Sequence, residues 1–135
     1  MSAKVPPPYC PRTHAYFGHE QHTWRRLLER GINVALGTDS RASNPDLNLW
    51  DEVLFLRRQF PDFPAEKLLQ MATIHGAAAL GRGETAGSLK PGRPADLAVV
   101  ALPGEPGERS PSLPEDLLLQ PASRIARTML RGRWT

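Results

Sequence analysis

The chain holds one cysteine, Cys10, among 135 residues. It can close no intrachain disulfide, which favours a reducing compartment, and a cytoplasmic location is expected. It has no apolar run of the length that spans a bilayer, so no membrane partner is expected. Its start, MSAKVPPPY, lacks the apolar stretch of a signal peptide. It also lacks a basic patch. The formal charge of +3 comes from scattered residues such as Arg25-Arg26, Arg57-Arg58, Arg124, Arg127, Arg131 and Arg133, and aromatics make up only 7%. Nucleic-acid binders concentrate basic residues on one face and interleave aromatics, so no nucleic-acid partner is expected. No internal repeat is visible.

What is present suits one soluble domain with a real core: 40% hydrophobic and 23% charged residues in a chain long enough to bury most of its surface. Most of the 14 prolines fall in the first eleven residues or between Pro103 and Pro121, which read as irregular. Residues 12–22 show no period and read as a loop. A helix is expected from Thr23 as N-cap, with Trp24, Leu27 and Leu28 inward and Gly31 as the stop. Ile32, Val34 and Leu36 then alternate as a strand covered on both sides. A second helix is expected with Asn44 as cap, Pro45 in its first turn and Leu47, Trp50, Val53 and Leu54 buried. A third should begin at Phe63-Pro64 and run unbroken to Gly81, with Leu68, Leu69, Ala72 and Ile74 inward. Beyond it come a turn at Lys90-Pro91-Gly92 between two extended pieces, a strand over Leu97–Leu102, and a strand-like run over Arg127–Trp134 with a turn at Gly132. Helix and strand with almost no connector is the rhythm of an α/β fold.

Two groups of residues can carry chemistry. Asp39 follows the strand at its carboxyl end, where barrels of alternating strands and helices place active residues, and a carboxylate there can ligate a divalent metal. The same Thr38-Asp39-Ser40 run can equally be a polar turn. Cys10, His14, His19 and His22 are all zinc-competent in type, but their spacing lacks the paired symmetry of a structural zinc knuckle. Loop histidines facing solvent or lining a pocket are the preferred reading. No signature of a nucleophile surrounds Cys10, and His75, within ATIHGAAALG, reads as a satisfied core histidine.

Four segments carry a resemblance. GINVALGTDSRASNPDLNLWDE is similar to the last barrel strand and following helix of the metal-dependent amidohydrolase superfamily, in its deaminase and chlorohydrolase branch. YCPRTHAYFGH resembles the loop after the preceding strand, and ATIHGAAALG and GSLKPGRPADLAVV resemble the helix and hairpin that return such chains to a small accessory β-sandwich. The resemblance implies the C-terminal portion of a (β/α)8 barrel over residues 1–82 and a return segment to the sandwich over 83–135. It implies a hydrolase of carbon–nitrogen bonds other than peptide bonds, or occasionally of carbon–halogen bonds, acting on a small molecule with water activated by zinc or iron. Asp39 would ligate that metal and shuttle a proton, His14 would face the substrate, and Thr38 and Ser40 would orient Asp39.

The family's remaining ligands, a His-x-His pair and two further histidines, have no counterpart in this sequence. A catalytic zinc takes three protein ligands, so the chain alone is expected to be inactive and to hold no stoichiometric metal. Pro6, Pro7 and Pro8 stand where relatives have a strand, and proline lacks the ladder donor. Two alternatives remain at this level: a non-catalytic binding or scaffold module, and one half of a split enzyme completed by another chain. The open edge of a partial barrel is expected to favour homo-oligomers or aggregation.

Overall fold

The computed structural model describes residues 8–104 and 114–135. The irregularity expected of the prolines before residue 8 and within 105–113 lies outside the described residues. Helix α1 spans Pro11–Tyr16. This corrects the expectation of a loop over 12–22 in its first part, residues 12–16, while 17–22 are irregular as expected. Pro11 takes the first helical position, where its fixed φ suits a helix and its missing amide costs nothing. Helix α2, Trp24–Glu29, starts after Thr23 as expected, although the Thr23 hydroxyl makes no capping bond. It ends where Gly31, at φ +71°, turns the chain and donates its amide to Leu28 O at 2.9 Å.

Val34, Ala35 and Leu36 are buried, and Leu36 forms a parallel bridge with Tyr9. Tyr9 N donates to Ala35 O at 2.8 Å and Gly37 N to Tyr9 O at 2.9 Å. A single bridge stands where a strand alternating Ile32, Val34 and Leu36 was expected: among the described residues no strand is formed there, because only one residue pairs, and Ile32 is exposed. Among the described residues this pairing is made by Tyr9, which directly follows Pro8 and owns an amide.

The other edge of the same segment is met by helices. Leu36 N donates to Met71 O at 3.1 Å, and His75 Nδ1 lies 3.2 Å from Val34 O. Asn33 Nδ2 donates to His75 O at 3.0 Å. These contacts exist because the expected single helix is broken: α4 is Ala65–Ala72, α5 is Ile74–Ala79, and Thr73 between them sits at φ −122°, ψ −91°. The break leaves Met71 O without its helical donor and hands it to Leu36 N. His75 is half-buried and bonded to backbone, and Ile74, expected inward, is exposed.

Helix α3, Leu49–Gln59, is capped by Asn48, whose side chain accepts from Trp50 N, and not by Asn44. Asn44 is engaged elsewhere, its Oδ1 accepting from Leu47 N at 3.1 Å while its amide points at Glu52. Leu47 is exposed at φ +56°. The core is built on Trp24, Val53, Leu56, Leu68 and Met71, all essentially without solvent exposure. Phe60 and Phe63 meet Trp24 edge-on. Leu119, just past α6 (Pro114–Leu118), joins this core, and Trp50 Nε1 donates to Ser123 O at 3.3 Å.

A separate antiparallel sheet in the order β1-β2-β3 comprises Leu97–Ala101, Arg124–Leu130 and Arg133–Trp134, with a bulge between Val99 and Val100. The β2–β3 turn carries Arg131 at φ +49° and Gly132 at φ +77°, the paired left-handed conformation whose twist matches a hairpin. Of the two extended pieces expected around Lys90-Pro91-Gly92, only the second is a strand. No described helix is long and apolar enough to cross a membrane.

Candidate functional site

Asp39 stands two residues beyond Gly37, at the end of the paired segment, with its backbone at φ +57°. That left-handed conformation disfavours most L residues and is best tolerated by Asp and Asn. Its side chain is exposed, and Ser43 Oγ donates to Oδ2 at 3.0 Å. Ser43 in turn shares a hydrogen bond of 3.1 Å with Thr13 Oγ1, which also lies 3.4 Å from Thr38 O. The hydroxyls expected to orient Asp39 do other work. Thr38 Oγ1 is 3.5 Å from Asp39 O, and Ser40 Oγ accepts from Ala42 N at 3.3 Å. The carboxylate is held by Ser43, four residues further on.

Behind this loop lies Glu52, on the buried face of α3 and fully enclosed. Its Oε2 accepts from Arg12 N at 2.9 Å and its Oε1 from Asn44 Nδ2 at 2.6 Å. Burial pushes the Glu52 carboxyl above its ordinary range, and the two hydrogen bonds oppose that push. The Arg12 guanidinium forks onto both oxygens of Asp46, at 2.9 and 3.1 Å, and holds that exposed carboxyl below its usual range.

His14 packs over the same end of the fold. Its Nε2 lies 2.6 Å from Glu20 O, and its ring meets those of His19 and His22 at 5.4 and 5.6 Å. His22 stacks on Tyr9 at 4.3 Å with 15° between planes. Among the described residues no three His, Cys, Asp or Glu side chains converge as a metal site. Asp39 and the histidine loop are brought to one end of the fold but not onto one point. Cys10 is half-buried, and burial raises its thiol pKa, so it stays protonated and unreactive at neutral pH.

Among the described residues His22 Nδ1 is buried without a hydrogen-bond partner, and burial, with His14 beside it, lowers the His22 pKa. A histidine whose folded pKa is lowered stabilises the fold above its unfolded value of ~6.5, and that stability is lost as pH falls through the folded value. The urea midpoint should therefore drop between pH 7.5 and pH 5.5. In His22→Phe, which keeps the stack on Tyr9, the drop should shrink. An unchanged pH dependence in that variant would remove His22 from the account.

The Amidohydrolase family profile matches residues 1–135. A 5-methylthioadenosine/S-adenosylhomocysteine deaminase of Thermoanaerobacter pseudethanolicus is 38% identical over 104 residues, covering 72% of this chain and 24% of that enzyme. A 5'-deoxyadenosine deaminase of Methanosarcina mazei is 48% identical over 82 residues, covering 56% of this chain and 18% of that enzyme. Among solved structures, an adenosine deaminase from Xanthomonas campestris with bound zinc superposes with a TM-score of 0.78 at 27% identity, over 93% of this chain and 30% of that one. The chain thus spans about a quarter of the length of the relatives it matches. What it spans is the stretch from the Tyr9–Leu36 pairing to the small sheet, and by that match along its whole length the chain belongs to the amidohydrolase family.

Proposed function

We propose that this chain supplies the aspartate corner of a hydrolytic deaminase that cleaves a carbon–nitrogen bond of a small molecule, an adenosine derivative altered at its 5' position. Residues 1–82 would form the last part of the barrel and 83–135 the return to the accessory sheet. In this reading Asp39 is a metal ligand and proton carrier, His14 borders the substrate, and Thr38 and Ser40 flank Asp39. The single Cys10 fits a cytoplasmic site of action.

The observation that supports it most is the state of Asp39. One carboxylate oxygen is fixed by Ser43, and the other has no hydrogen bond among the described residues. A carboxylate anchored on one side and open on the other is suited to ligation or proton exchange at the open oxygen. The donors among the described residues do not by themselves fit zinc, since a single carboxylate stands where such a site takes three ligands. Further ligands would have to come from outside the described residues.

The test is complementation. The chain is co-expressed with the preceding part of the Thermoanaerobacter enzyme, and ammonia release from 5-methylthioadenosine is followed. Activity should appear and fall by at least about a hundredfold in Asp39→Asn, on the scale of losing a group that acts in proton transfer. No ammonia with a folded complex, or full activity in Asp39→Asn, would overturn the reading. The chain alone should hold no stoichiometric zinc by elemental analysis, and one tightly bound zinc per chain would contradict that.

A further inference from the structure

We propose that Glu52 is a positioning residue that holds the Asp39 loop in register with α1. The loop from Asp39 to Leu47 belongs to no ladder, and both of these residues have positive φ. Its shape therefore depends on side-chain bonds. Beside the Arg12 fork onto Asp46, two neighbouring rungs supply them. Arg12, in the first turn of α1, has an amide with no intrahelical acceptor, and Glu52 joins it to Asn44. Thr13, the next residue of α1, bonds Ser43, the residue before Asn44, and Ser43 reaches Asp39 Oδ2. Glu52 thus aligns consecutive residues of two segments while making no hydrogen bond to Asp39. A carboxylate with no solvent exposure carries a desolvation cost, and its partners, the Arg12 amide, the Arg12 guanidinium at 3.7 Å and the Asn44 amide, all belong to the two segments that frame the site.

The inference rests on the reading of Asp39 as the site residue, but its test is made on the chain alone and reads the loop, whatever complementation shows. Amide hydrogen exchange is measured by NMR in wild type, in Glu52→Gln, and in the reciprocal pair E52Q/N44D. Glu52→Gln keeps the volume and sets an amide against the Asn44 amide. Rotating Asn44 to relieve this would forfeit its bond from Leu47 N. Protection of the Arg12 and Leu47 amides should fall roughly three- to tenfold, the scale of one net hydrogen bond. Amides of the core face of α3 and α4, at Leu56 and Leu68, should keep theirs. The pair E52Q/N44D exchanges donor and acceptor and should restore Arg12 and Leu47. Unchanged protection in Glu52→Gln, a uniform loss across α3 and α4, or no recovery in the pair would each overturn the proposal.

Discussion

Replacing Trp24 by alanine should lower the unfolding free energy by about 3–5 kcal/mol, the range for truncating a buried large aromatic. Trp24 opens α2 at 1% exposure, and its ring is enclosed by Phe60 and Phe63 at 5.5 and 4.8 Å and by Tyr9 at 6.2 Å. Those three neighbours come from two segments outside α2, Tyr9 ahead of α1 and the turn over residues 60–63 after α3, so none can move into the space without dragging its own segment. Urea unfolding followed by circular dichroism measures the loss. Trp134→Ala is the internal control. That ring is 47% exposed and rests on the Arg127 guanidinium at 4.1 Å, so its removal should cost about 1 kcal/mol or less. Equal losses for the two tryptophans would contradict the packing described for Trp24.

Gly87→Ala carries the second large effect, about 2–5 kcal/mol. Gly87 is at φ +85°, and a Cβ there would stand 2.8 Å from Ile74 Cα, 2.9 Å from Ala77 Cβ and 3.1 Å from Thr73 O. The left-handed backbone costs an L residue about 1–2 kcal/mol. The overlap is with backbone and a Cβ, which cannot swing aside, and adds about 1–3 kcal/mol. Gly92→Ala separates the two parts, because Gly92 is at φ +82° with nothing within 4 Å and should show only the conformational cost. The difference between the two variants in the same unfolding experiment isolates the clash. Its relief would push α5 away from the segment of Val34 and Leu36, so the Asn33 and His75 bonds should weaken with it. A Gly87→Ala variant no less stable than Gly92→Ala would show that the turn does not press on α5.

Elements whose signals are local were legible in the sequence. Gly31 ends α2 and Gly132 turns β2 into β3 because each supplies a conformation its own position demands. Features fixed by distant partners were not. Asn44 has every local mark of a helix cap, yet Glu52, eight residues on, claims its amide and Asn48 caps instead. The break at Thr73 follows from what Leu36 N needs, and ATIHGAAALG alone reads as one helix. The site divides in the same way. Asp39 was singled out by its place after an apolar run and by resemblance, while Ser43 and Glu52 were missed because their meaning lies in Thr13 and Arg12, some thirty to forty positions away.

One edge of the segment over residues 34–36 has partners within the chain. Leu36 N and Val34 O are committed to Met71 O and His75 Nδ1. A strand arriving from another molecule finds no vacancy there and must evict the α4–α5 junction before it can pair. Growth of a sheet from copy to copy along that edge is thus a displacement reaction, and so is any closure of a barrel through it.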